Sequence, residues 1–342
     1  MTIVKSDNCH ASDAEGTVVN LSSEFPIPQD DLHRDLAFPS MLHTTVLLAA
    51  AAQHCPPNLL GDAYGEKEFS LAQTSVAELW HVVRKGWSLT NNGKLELARK
   101  QFEAYREGFA DDPELQYVLF DFCRLMLSPA QLVLFDEAHR RCVELATAQR
   151  SLFKQFKSYF ISNIAKSNMK RYFNTFSEYF SCFSDFSQTL HHKRMGVSLS
   201  NGFVASSTAF SKTKLFYGNA FETLTSNVVV LACLSNVAAG RPYEEFKQFS
   251  LKKYLKLDKA RRGDAFSDIP EFQSIVASLN SVIRNASHHG AMELASDGTT
   301  IRYRSGGTGA EHSMSYLDYI DHCNSIMMSC CALLALEFSI AF

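Results

Sequence analysis

The sequence predicts a nearly all-α protein: a helical bundle with a small β-hairpin just before its last helix. Three observations carry this. Apolar residues recur at three- and four-residue steps through most of the chain, which is the spacing of one helix face. Between Pro129 and His191 there is neither Pro nor Gly, so nothing punctuates a long helical run. Strand-like alternation stands out in "TTIRYRS" at 299–305, followed by the turn pair Gly306-Gly307.

The elements follow in order. Residues 1–36 are polar, carry Pro26 and Pro28, and read as a flexible or draped arm. Pro39-Ser40 opens an Ala- and Leu-rich helix that stops before "CPPN". From about Thr74, "SVAELWHVVRKGW" puts Val76, Leu79, Trp80 and Val83 on one side. "TNNG" turns the chain, and "KLELARKQFEAYREGF" continues it with Leu97, Ala98, Phe102 and Tyr105 on its face. The spacing of Gly93, Ala98 and Phe102 resembles one tetratricopeptide hairpin. A repeat array needs about three units, and no second copy is found, so an ordinary helical hairpin is the simpler reading. "SPAQL" is a helix start, with Ser128 as N-cap and Pro129 in the first turn.

Beyond it, Phe153, Phe156, Phe160, Ile164, Phe173, Phe176, Phe180 and Phe183 form an aromatic stripe along one long helix, or two end to end. Lys154, Lys157, Lys166, Lys170 and Arg171 lie among them. Basic residues between aromatics can hold single-stranded nucleic acid by stacking. The simpler reading is core aromatics under a solvated basic face. After a Gly- and Ser-rich break at 194–208, helical spacing resumes from Ser211 to Val237 and stops at Gly240-Arg241-Pro242. A basic, partly helical connection leads into a helix from about residue 271. Ser315 with Asp318 reads as a capping box for a last helix from Tyr316 to Phe338.

Composition narrows the function classes. The net charge of −3 provides no global basic field, so any nucleic-acid contact must be local. The nine cysteines contain no C-x-x-C pair, which argues against a zinc site or a disulfide framework and for reduced, buried thiols. The N-terminus lacks the apolar core of a signal peptide, and the apolar run "VLLAAAA" is too short to span a bilayer. A cytoplasmic location without membrane contact is expected. Elsewhere, the cluster His191-His192-Lys193-Arg194 reads as a solvated helix end, "HCN" at 322–324 as core, and "SGGTG" as no phosphate loop, since it has no Lys in place.

The stretch that asks for another explanation is "RNASHHG" at 284–290. It ends a helix whose apolar stripe is Phe272, Ile275, Val276, Leu279, Ile283 and Ala286. At about 100° per residue, His289 falls at the stripe margin beside Asn285, while Arg284 and His288 lie one turn apart, nearer solvent. A C-terminal cap accounts for the cations and for Gly290. It does not require Asn285.

"RNASHH" fits R, a polar residue, three residues, H: Arg284, Asn285 and His289. It resembles the signature of the HEPN superfamily, in which the motif sits late in a four-helix bundle, before a short strand or hairpin and a final helix. The resemblance covers about 205–342. It implies a C-terminal HEPN-like four-helix domain at 205–342, preceded by the arm at 1–36 and a helical sensor, regulatory or partner-binding region at 37–204. It implies a metal-independent endoribonuclease with no cofactor, paired across a homodimer. His289 would be the acid or base, Arg284 the phosphate clamp and Asn285 an orienting group; His288 has no fixed counterpart and would assist. Such proteins are commonly toxins or effectors of anti-phage defence, with RNA as substrate and an antitoxin or phage-derived trigger as partner. The alternatives are an inactive HEPN-like module that binds nucleotide, RNA or a protein, and a helical scaffold with no site.

Overall fold

The computed structural model describes residues 27–28, 76–105, 114–194, 203–305 and 309–341. The predicted helix after Pro39, the Gly306-Gly307 turn and most of the 1–36 arm lie outside them. Of the arm, Ile27–Pro28 (β1) pairs antiparallel with Phe203–Val204 (β2).

The described protein is mostly helical. Val76–Asn91 (α1) and Leu95–Tyr105 (α2) form the expected hairpin, turning at Gly93 with φ +71. Val76, Leu79, Trp80, Val83, Ala98 and Phe102 are buried as the spacing predicts. Leu97 is not: it is exposed, because α2 packs through Ala98 and Phe102. The small residue that lets the hairpin close is Gly86, where an added Cβ would lie 2.1 Å from the Phe102 ring.

Leu115–Met126 (α3) is followed by Pro129–Ala148 (α4), whose start is as expected: Gln131 N donates to Ser128 Oγ, and Ser128 N donates to Gln131 Oε1. The long aromatic run is helical but not continuous. It divides into Arg150–Tyr159 (α5), a π turn at Phe160–Ile164, Ala165–Ser181 (α6) and Phe183–Arg194 (α7). The joints at Gln149 and Cys182 leave helical geometry and let each piece re-aim its ring stripe. Phe156, Phe160, Phe173 and Phe176 are buried, and Trp80 stacks on Phe180 with centroids 5.2 Å apart. These aromatics are core.

Phe210–Asn227 (α8) and Val229–Ala238 (α9) come next, offset at Val228. Then follow the short Leu251–Tyr254 (α10), a 3₁₀ turn at Lys259–Phe266, Pro270–Ile275 (α11) and Ser281–His288 (α12). The single helix expected from 271 onward is therefore two. The apolar stripe runs through the break, so spacing alone conceals it. The break is held by tertiary bonds: Tyr217 OH donates to Ser278 O (2.7 Å) and accepts from Asn280 N (2.8 Å). Asn280 Oδ1 then caps Val282 N and Ile283 N.

The expected hairpin is a three-stranded antiparallel sheet, Met292–Leu294 (β3), Thr300–Arg304 (β4) and Glu311–Ser315 (β5). β3 is too short to show alternation; "SDG" with Gly298 at φ +69 makes the turn after it. Asp318 N donates to Ser315 Oγ (3.0 Å) at the start of the last helix, Tyr316–Ala341 (α13).

α13 is the axis of the fold. It packs against α3, α4, α6 and α7 on one side of residue 205 and against α8 on the other, and one continuous core runs from Val76 to Ile340. Two helical stretches, Phe210–Ala238 and Tyr316–Ala341, are long and apolar enough to cross a membrane, but 83% of each apolar window is buried inside the fold. The seven described cysteines are free and buried.

Candidate functional site

The motif helix α12 lies along α8 and against β4. Its sequence explains the docking. Ile283 and Ala286 are buried, and so is the small polar Ser287. Ser287 Oγ donates to the Lys214 carbonyl and accepts from Gly218 N (3.3 Å). Gly218 has no side chain because there is no room for one: a Cβ there would stand 2.8 Å from His288 Nε2 and 2.9 Å from Ser287 Oγ. The close approach of α8 and α12 thus presses the His288 ring against the backbone of α8.

Arg284 is fixed from two sides. Its Nε (2.9 Å) and Nη2 both donate to Glu222 Oε1, and its Nη1 donates to Asn285 Oδ1 (2.9 Å). The guanidinium also lies 5.8 Å from the Phe221 ring centroid. Lys259 Nζ donates to the other oxygen, Glu222 Oε2. Burial pushes the Glu222 carboxyl up, but hydrogen bonds from Lys259 and Arg284, and their charges, outweigh it and hold it below the usual range. Two cations face one carboxylate, so the cluster keeps one excess positive charge before any histidine is counted. Three N–H groups of Arg284 are engaged, which leaves one on each terminal nitrogen. Those two N–H groups remain to donate to phosphate oxygens.

His288 closes the last turn of α12, and His289 is its C-cap, donating its N–H to Asn285 O (3.1 Å). Both are exposed. Gly290 follows with φ +67, the left-handed exit that the cap reading requires. Arg284 and Asn285, half-buried and in direct contact, and the exposed His288 and His289 therefore share the last two turns of one helix. Among the described residues, no group of three or more His, Cys, Asp or Glu gathers as a metal site would need.

Sequence reasoning did not single out Glu222 or Lys259. A signal existed: Glu222 is the one carboxylate in the apolar stretch 210–238. An acid there needs a partner, but the partner comes from residue 284 and only the fold shows it. The 191–194 cluster is a solvated end only in part: His191 is exposed, but His192 is buried and Lys193 Nζ pairs with Asp321 at 2.7 Å. Burial, and then Arg194, lower the His191 pKa. Within "HCN", Cys323 and Asn324 are core as expected but His322 is only half-buried, and Asn324 accepts from Tyr179 OH (2.6 Å).

No family model, curated protein or solved structure matches the chain.

Proposed function

We propose that the chain is a metal-independent endoribonuclease of HEPN type, acting in the cytoplasm as a homodimer in anti-phage defence or as a toxin. The observation that carries this is the preset guanidinium of half-buried Arg284, oriented by Glu222 and Asn285 on the helix whose exposed end bears His288 and His289. In the proposed reaction the ribose 2′-hydroxyl attacks the adjacent phosphorus. The bond from phosphorus to the 5′-oxygen breaks, leaving a 2′,3′-cyclic phosphate and a 5′-hydroxyl. One imidazole takes the proton of the attacking hydroxyl and a second gives one to the leaving oxygen. His289 supplies one of these roles. His289 of a second copy, or His288, supplies the other. The remaining N–H groups of Arg284 meet the charge growing on the phosphoryl oxygens, and pairing two copies doubles the few groups one chain offers. An antitoxin or a phage-derived trigger would act through the helices before residue 205.

A second reading has its own support. Glu222 occupies one edge of Arg284, and Gly290 takes the conformation of a plain helix exit. These fit an inactive HEPN-like module that binds nucleotide, RNA or a protein. Incubation of the purified protein with total RNA, with and without EDTA and beside a His289→Ala control, separates the two. Fragments ending in cyclic phosphates, formed in EDTA and absent with the variant, support the ribonuclease. Intact RNA, or cleavage restored only by Mg²⁺, refutes it.

A further inference from the structure

Away from α12, a cleft of about 610 Å³ opens between α4, the end of α9, the 241–249 loop and the 3₁₀ turn at 259–266. Neither Arg284, His288 nor His289 lines it. Its volume is that of a small-molecule site. The wall is apolar and aromatic, including Phe246 and Phe249, and the rim carries Arg141, Arg241, Lys247 and Arg261. Two carboxylates, Asp264 and Asp268, also line it, and Arg141 is paired with Glu144 at 3.0 Å, so four cations meet three anions and one positive charge is left over.

Arg241 is the built part of the cleft. Its Nη2 donates to Asn236 Oδ1 (3.1 Å) and its Nε to the Glu245 carbonyl (3.1 Å). Asn236 is itself buried and tied by its Nδ2 to the Tyr243 carbonyl (2.8 Å). These acceptors are neutral. They order the guanidinium without cancelling its charge, so a ligand anion finds it already positioned. Lys247 and Arg261 are held only by long, exposed pairs, 3.4 Å to Asp268 and 3.5 Å to Asp264. Such pairs contribute little and exchange partners readily. On the aromatic side, Phe246 is stacked on Phe249 at 5.1 Å and on the buried Tyr254 at 4.9 Å, both nearly parallel. Phe246 is thereby held by two rings, which fixes the aromatic side of the cleft, and Phe249 is the end of that stack that also lines it.

We propose that this cleft binds a mononucleotide, its base against Phe249 at the end of the ring stack and its phosphates on Arg241 and Lys247. A flat apolar wall and an ordered cation on one rim are the two halves of nucleotide recognition, and this cleft joins them at that size. The proposal does not depend on the ribonuclease reading.

The test is titration of the full-length protein with mant-ADP and mant-GDP, followed by fluorescence, with unlabelled ADP or GDP, adenosine and inorganic phosphate as competitors. Saturable binding is expected, displaced by the unlabelled nucleotide about tenfold better than by adenosine or phosphate alone. Arg241→Ala and Lys247→Glu should each weaken it about tenfold, and Arg284→Ala should leave it unchanged. Lys247 is mostly exposed, so its variant keeps the test intact where Arg241→Ala fails to fold. Absence of saturable binding overturns the proposal. So does equal displacement by adenosine, undiminished binding by the Lys247→Glu protein, or loss of binding in Arg284→Ala.

Discussion

Glu337 sits near the C-terminal end of α13, buried, and accepts hydrogen bonds at Oε1 from Asn168 Nδ2 (2.7 Å) and Tyr172 OH (2.9 Å). Burial pushes its carboxyl up to about 8, against the two hydrogen bonds and the Arg171 charge that act to lower it. The folded protein therefore keeps a proton that the unfolded chain releases above about pH 4.5. More protons are bound in the folded state between these values, so the stability contribution is full below about pH 4.5 and declines as pH rises toward 8. At about 1.4 kcal/mol per unit, the loss at pH 7 is roughly 3 kcal/mol. Glu337→Gln keeps an oxygen for both donors and replaces the protonated oxygen with an amide. It should match the native protein near pH 4.5 and exceed it by about 3 kcal/mol at pH 7. That is a rise in Tm of about 4 °C, from an unfolding entropy near 2.1 cal/mol/K per residue. The assay is thermal unfolding of both proteins from pH 4.5 to 8.5. A Tm difference that does not change with pH, or a variant less stable at pH 8, would refute the reasoning.

Gly218→Ala should separate α8 from α12, because the new Cβ meets His288 Nε2 at 2.8 Å and Ser287 Oγ at 2.9 Å. A loss of about 1–3 kcal/mol in chemical denaturation is expected, with any RNA cleavage reduced alongside. His289→Ala should abolish cleavage with Tm nearly unchanged, since the residue is an exposed C-cap; His288→Ala should be milder, which the same gel assay checks. Arg284→Lys should rescue poorly, because a point charge cannot meet Glu222, Asn285 and a phosphate at once. Single-turnover rates near native for that variant would remove Arg284 from the proposed chemistry.

Much of this protein was legible in its sequence because the interactions involved are local. Val76 to Val83 on one helix face, the Ser128-Pro129 start and the Ser315-Asp318 cap each depend on residues within a turn or two of one another, and each appears where spacing puts it. The buried aromatic stripe follows from the same periodicity. The misses share the opposite cause. The 271–289 segment reads as one helix because its apolar stripe is unbroken, and it breaks because Tyr217, some sixty residues earlier, binds both sides of the gap. Leu97 fits a helix face that the fold leaves in solvent. The motif itself was visible as Arg284, Asn285, His288 and His289, since those residues share one helix end. The Glu222 and Lys259 that fix Arg284 were not, because they come from α8 and the 3₁₀ turn. Sequence alone determined where the chain is helical, though not where its helices break, and the candidate motif, through short-range periodicity and capping. Only the tertiary structure decided what holds Arg284, since a hydrogen bond between residues 222 and 284 exists only after α12 has packed onto α8.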